Sequence, residues 1–330
     1  MTKEARQIAL ATTDTRPANL PPPRTTTGPM PTSSSAPGFP FAAILLLFGA
    51  LTLLPIMDGC AKLLSQSLSV YEITWARYFF HWIVLLPILF ARYSWRAFTP
   101  AKMTMQLARS TILLVGTILF FFGLSYMPVA DTLALFFISP LVATLLSALL
   151  LGEKVGPRRL VAVAIGFVGA LIILRPGLGV FRWPALFALG SGLCYGFYAV
   201  ATRKLAGTAP PLVTAGFTAL VGAVVMSLSA PIYWVTPSLF QLSLMVVIGL
   251  IAAVGHYMVI LAYERAQASL LAPFAYYEIV MAVAVGFVMF GDLPDRWTWL
   301  GIAVLAASGI YISLRERQLG LRRPPPDPNP

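Results

Sequence analysis

Glu278 stands in the middle of an otherwise apolar run, Ala268–Phe290. An ionisable group at the centre of a bilayer costs about 2.5–3.5 kcal/mol, so a carboxylate there needs a reason. Three uses compete: pairing a cationic or amine-bearing solute, carrying a coupling proton, or serving as a structural acid hydrogen-bonded by tyrosine. His256 lies in the preceding run, and the two runs form a hairpin turning near Ala266. His256 is ten residues before that turn and Glu278 twelve after it. At about 1.5 Å per residue their depths differ by only about 3 Å. A Glu and a His at one depth can share a proton or bracket a polar ligand, although a lone helical His also serves in packing. Tyr257, Tyr276 and Tyr277 flank the pair and offer hydrogen bonding, stacking on a ligand, or ordinary packing.

The first hairpin turns near Ser67 and repeats this logic. Asp58 is nine residues before the turn and Arg77 ten after; Lys62 is five before and Glu72 five after. These spacings predict two opposite-charge pairs stacked at two depths, as a structural ion ladder or as a gate whose pairs break when a site opens. Asp131, at the start of the fourth run, is a further gate candidate, and Trp75 beside Arg77 faces either a cavity or lipid. Pro140 lies inside a run and predicts a kink that frees a carbonyl, near a cavity or simply for packing. Tyr195 and Tyr198 follow Gly190 and Gly192, which permit close helix approach, and are weaker site candidates.

These residues need apolar elements to hold them. Of 330 residues, 58% are hydrophobic and 11% charged, against about 25% charged in soluble domains. Ten segments each approach the roughly 20 apolar residues of one crossing: Phe41–Leu64, Tyr71–Phe90, Gln106–Tyr126, Val129–Leu151, Arg159–Leu174, Trp183–Thr202, Leu212–Trp234, Phe240–Leu261, Ala268–Phe290 and Trp297–Leu314. The backbone must satisfy itself in lipid, so helices are expected, and the runs are too long and continuous for barrel strands. The fold class expected is therefore all-α integral membrane. Pro128, Gly156-Pro157, Pro176, Pro210-Pro211 and Pro294 fall between segments, where proline ends helices. Residues 1–38, rich in Pro, Thr and Ser, read as a disordered tail, and residues 315–330, Pro-rich beyond Leu321, as a second short tail.

Cys60 and Cys194 lie in apolar runs with no disulfide or metal-ligand spacing, so no metal and no cofactor is expected. The net charge of +11 comes without a basic helix or an aromatic–basic platform, which argues against nucleic acid. No GxxxxGK[ST], HExxH, GxSxG or TVGYG element occurs. An ATP-driven engine in this chain and hydrolase readings therefore lack support.

Two stretches look alike: LLSALLLGEKVGPRRLVAVAIGFVGALII and AVAVGFVMFGDLPDRWTWLGIAVLAASGIYI. Each runs through a long apolar helix, a Gly-acid pair (Gly152-Glu153, Gly291-Asp292), a short loop with Pro, and a helix containing Gly169 or Gly309. The halves, 41–174 and 183–314, each hold five segments. Five is odd, so the second half enters from the opposite face as an inverted repeat. Together with MDGCAKLL, EITWARY, ISPLVATLLSALLLGEKV and GHYMVILAYERAQASLLAPFAYYEIVMA, these stretches resemble the drug/metabolite transporter superfamily in its two-domain EamA-type branch, over residues 41–314. The resemblance implies ten helices as a five-plus-five inverted repeat, alternating access, and both termini cytoplasmic. Asp58, Lys62, Glu72 and Arg77 look most like members that include S-adenosylmethionine carriers.

The expected function is secondary transport of a small polar metabolite such as an amine, an amino acid or an S-adenosylmethionine-like solute. A membrane scaffold or sensor, or an intramembrane acid/base enzyme using Glu278 and His256, are the alternatives. The expected partners are the solute and the lipid bilayer, with a homodimer compatible. Cytoplasmic loops carry the excess of Lys and Arg. The side of both tails collects eighteen, Arg109 among them, against Arg175, Arg182 and Arg296 opposite. Both termini are therefore expected in the cytoplasm of a multi-pass cell-membrane protein. A reporter fused after Arg323 should be active only inside the cell, and activity outside would overturn the topology.

Overall fold

The computed structural model describes residues 41–93, 102–152, 156–175, 183–205, 207–266 and 268–321. The tail expected at 1–38, Glu153 and Pro176 lie outside them. Among the described residues twelve α-helices run in order: α1 (Phe41–Leu64), α2 (Val70–Arg92), α3 (Met103–Tyr126), α4 (Val129–Phe136), α5 (Ser139–Leu151), α6 (Pro157–Leu174), α7 (Ala185–Lys204), α8 (Pro211–Tyr233), α9 (Leu239–Arg265), α10 (Ala268–Leu271), α11 (Tyr277–Phe290) and α12 (Arg296–Leu321). A 3-10 helix, Ala272–Tyr276, joins α10 to α11. No strand occurs among the described residues. These helices make ten crossings long and apolar enough for a membrane, the fourth built from α4 and α5 and the ninth from the 3-10 helix and α11. The fold is all-α and integral to the membrane. α12 continues to Leu321.

Local chemistry explains the ends. Ser69 accepts a hydrogen bond from the Glu72 amide at the start of α2. Ser238 and Gln241 form a reciprocal capping box on α9, satisfying amides that a helix start leaves orphaned. Pro157 and Pro211 open α6 and α8, where the missing N–H costs nothing. The two glycines of the repeated Gly-acid pairs share one task. Gly152 (φ 67°) and Gly291 (φ 69°) end α5 and α11 in the left-handed conformation, which favours a residue without Cβ.

The helices pair symmetrically. α1 packs on α9 and α3 on α7; α2 packs on α9 and α3 on α8; α1 packs on α11, and both α4 and α5 pack on α7. α2 also packs on α8, α4 on α11 and α6 on α12. Exchanging each crossing with the one five places on turns this set of pairs into itself. With five crossings per half, the two halves run in opposite directions.

α6 and α12 meet through small residues. A Cβ on Gly169 would stand 3.0 Å from the Gly301 carbonyl oxygen, and one on Gly301 2.7 Å from that of Gly169. Ser308 Oγ donates to the Ala162 carbonyl at 2.5 Å. Glycine contact of this kind lets backbones approach where lipid supplies no hydrophobic drive.

Beyond the end of α6, Arg175 (φ 49°) bonds both carboxylate oxygens of Asp295. Asp295 Oδ1 also accepts from the Thr298 amide at 2.8 Å. The Arg175 guanidinium, helped by that cap, holds the Asp295 carboxyl well below the usual carboxylate range, at about 2. The unfolded value is about 4, so folding depresses it. The contribution to stability is complete above about pH 4 and is lost as pH falls towards about 2. In detergent, wild type should therefore melt above Asp295→Asn at pH 6, with the gap closing between pH 4 and 2. A gap that stays constant across that range would refute the linkage.

Candidate functional site

A polar belt crosses the middle of the bundle. α1 contributes Asp58, α2 Arg77 and His81, α9 His256 and Tyr263, α11 Glu278, and α7 Tyr195 and Tyr198. Arg77 is its hub: the charge acts on Asp58, His81, His256 and Tyr195. Asp58 in turn acts on Glu278, and Glu278 on Tyr195 and Tyr263. The belt thus has an acid pole, Asp58 with Glu278, and an imidazole pole, His81 with His256, joined through one guanidinium. Asp58, Arg77 and His81 are 4, 8 and 6% exposed, which takes all three out of bulk water. Glu278 and His256 are half-buried. Tyr195 presents 39% of its surface although Phe136 lies at 5.1 Å and Tyr198 at 5.5 Å.

The position of Glu278 follows from a broken crossing. Pro273 sits in the first turn of the 3-10 helix, and α11 starts afresh at Tyr277. Glu278 falls in the first turn of α11, where the helix dipole favours a carboxylate. The fourth crossing breaks at Phe137–Ile138, with Pro140 in the first turn of α5. Ser139 and Glu278 each stand thirteen residues before their left-handed glycines, Gly152 and Gly291. Both halves therefore place a fresh helix start at mid-depth, with a hydroxyl in one and a carboxylate in the other.

The charges near the first turn pair differently from their spacing. Lys62 binds Asp292 at 3.1 Å and donates to the Met127 carbonyl at 2.9 Å, with its ammonium 4.9 Å from the Phe290 ring centre. Its partner is not Glu72. The cause is packing: the main neighbours of α1 are α9 and α11, so its charges look across to the other half. Glu72 is fully buried and accepts from the Val235 amide at 3.3 Å. Gln241 donates to Ser67 at the same end at 2.7 Å, and Asp131 occupies the first turn of α4 there. Asp58 and Arg77 act on each other without a salt bridge between them among the described residues. A depression of about 290 Å³ at this end, lined by Ser65, Ser69, Tyr71 and Ser125, contains none of the belt residues.

The remaining candidates scatter. Tyr277 meets Phe48 edge-on at 4.6 Å and its hydroxyl lies 3.3 Å from Thr52 Oγ1. Tyr276 is buried against Phe137, its hydroxyl over Gly309. Tyr257 packs with Leu85, Leu89 and Phe217 beneath Arg92, away from the belt. Trp75 stacks on Phe79 at 4.6 Å and donates to Ser227 at 2.9 Å. Arg109, counted above among loop charges, is 1% exposed inside α3. It bonds Thr202, the Thr214 carbonyl and Thr218, and stacks on Tyr198 at 4.8 Å. Its role is to tie α3, α7 and α8 together. His81 was not singled out from sequence. The available signal was that the chain has only two histidines, each inside an apolar run.

Two five-helix halves around a buried polar belt define a multi-pass membrane transporter of small solutes. The chain belongs to the EamA-like transporter family, which matches residues 41–175 and again 182–315. A curated relative, the S-adenosylmethionine uptake transporter of Rickettsia bellii, is 26% identical, the match covering 79% of this chain and 89% of that protein. The riboflavin transporter of Rhizobium johnstonii is 32% identical over 64% of this chain and 70% of its own. The pseudopaline exporter CntI of Pseudomonas aeruginosa is 24% identical, covering 82 and 96%. A solved crystal structure shares the fold with a TM-score of 0.62 at 20% identity, covering 84% of this chain and 99% of its own.

Proposed function

We propose that this chain is a secondary-active carrier that moves a small polar metabolite by alternating access, with Glu278 and Asp58 receiving its cationic or amine-bearing part. The observation that carries this reading is Glu278 itself, a carboxylate at a mid-depth helix start within the field of a second buried carboxylate. Two acids within each other's field in the bundle interior attract a cation or hold a proton between them. A solute with a positive centre satisfies both. S-adenosylmethionine has a sulfonium and an amine, and relatives named as its uptake transporters make it the first solute to test. The broken crossings α4–α5 and α10–α11 supply the moving parts: their halves at the Lys62 end pack on each other, while α5 packs on α7 and α10 on α12. Lys62–Asp292 then acts as the latch of that end. Following the loop charges, the Lys62 end faces outward and both termini are cytoplasmic.

In proteoliposomes, S-adenosylmethionine flux should fall about tenfold or more in Glu278→Gln, as expected when a charge-assisted contact is lost, with the melting temperature retained. Wild-type flux in that variant would refute the assignment. The latch has its own readout. In a Cys194→Ser background, Asp292→Asn should speed labelling of buried Cys60 by an impermeant maleimide applied at the Lys62 end. An unchanged labelling rate would remove Lys62–Asp292 from the gating scheme.

A further inference from the structure

Buried polar groups in a bundle interior ordinarily find partners, and each one left unmade carries a penalty. The imidazole pole departs from this. His81 is 6% exposed, and neither of its ring nitrogens has a hydrogen-bond partner among the described residues. Arg77, one turn earlier on α2, is 8% exposed and its Nε is likewise unpartnered. The His256 ring lies 5.5 Å from that of His81, tilted by 36°. Its Nδ1 is 2.7 Å from the Ala252 carbonyl oxygen. A carbonyl only accepts, so Nδ1 carries the proton and Nε2 of the neutral ring holds the lone pair. The two imidazoles together present one acceptor nitrogen and a neighbouring donor–acceptor edge.

The same guanidinium acts on Tyr195, a ring 39% exposed that packs with Phe136 and Tyr198. A ring face for stacking and a planar edge of donors and acceptors together suit a planar ring that carries its own nitrogens. An aliphatic amine would fill neither. A carboxylate would use Arg77 and leave the acceptor nitrogen of His256 facing an anion.

We propose that His81 and His256 form a second subsite, distinct from the Asp58–Glu278 pole, that recognises a planar nitrogen heterocycle of the solute, with Tyr195 as its stacking face. This rests on the carrier reading above and deepens it: the solute is bipolar, with a cationic part at one pole and a heteroaromatic part at the other.

The test uses the purified full-length protein in detergent with two probes, each containing one part alone. Adenosine presents the heterocycle and putrescine the amine, and binding is read by calorimetry. His81→Phe keeps a ring of similar shape without nitrogens, and His256→Phe is the second variant should the first fail to fold. His81→Phe should weaken adenosine about tenfold or more beyond any effect on putrescine, from loss of buried hydrogen bonds. His81→Gln, which keeps a nitrogen near the Nε2 position, should restore part of that loss. Equal weakening of both probes, an undiminished adenosine affinity, or no adenosine binding by wild type at millimolar concentration would each overturn the subsite. If Glu278→Gln weakens putrescine while both Phe variants bind adenosine normally, the subsite falls and the acid pole stands. If Glu278→Gln binds putrescine normally while His81→Phe loses adenosine, the acid pole falls and the subsite stands.

Discussion

A charge inside a bilayer must find its counter-charge or its hydrogen bonds within the protein, because lipid offers none. The helices of this molecule are arranged around that demand. Arg109 is supplied by three hydroxyl or carbonyl groups from α7 and α8. Lys62 is supplied by Asp292 and by the carbonyl before α4. Arg175 is supplied by Asp295. Each of these contacts joins one half to the other, except the Met127 carbonyl. The cations therefore stitch the two halves together at their rims and in their interior.

The belt is the place where the demand is only partly met. Asp58, Arg77, His81 and Glu278 share one field yet make few bonds to one another. A fully satisfied network would rigidify the bundle, whereas partial satisfaction leaves capacity for a partner that arrives and departs. Transport needs binding that is favourable but reversible, and unused hydrogen-bonding capacity in a dry interior supplies it. The broken crossings serve the same end. They put helix starts at mid-depth, on the crossing that carries Glu278 and on its counterpart in the other half.

Much of this was legible from sequence because lipid imposes simple rules. Crossing length fixed the ten segments, and proline at their edges marked the joints. Glu278 stood out because its neighbours are apolar. The repeated Gly-acid pairs pointed to a shared loop geometry, which proved to be a left-handed helix end. What stayed hidden was which helix faces which. The Lys62–Asp292 contact spans 230 residues, and hairpin spacing favoured Glu72 because it assumes that successive helices are the closest neighbours. Arg109 was counted with the loops because it lies near the start of a run, although three distant hydroxyl-rich turns draw it inward. His81 carries no formal charge, so it raised no alarm in an apolar stretch. Only the packing of α2 on α9 shows that the two histidines meet.

The glycine seam between α6 and α12 bears on how the protein is made. The Ser308–Ala162 bond closes a separation of 146 residues. At synthesis rates of about 5–20 residues per second, α6 waits roughly 7–30 s for its partner. During that interval the seam face of α6, with Gly166 and Gly169, lies against lipid or a chaperoning insertase. Assembly of the first half is thus completed by a helix of the second. A chain interrupted before α12 leaves that face uncovered.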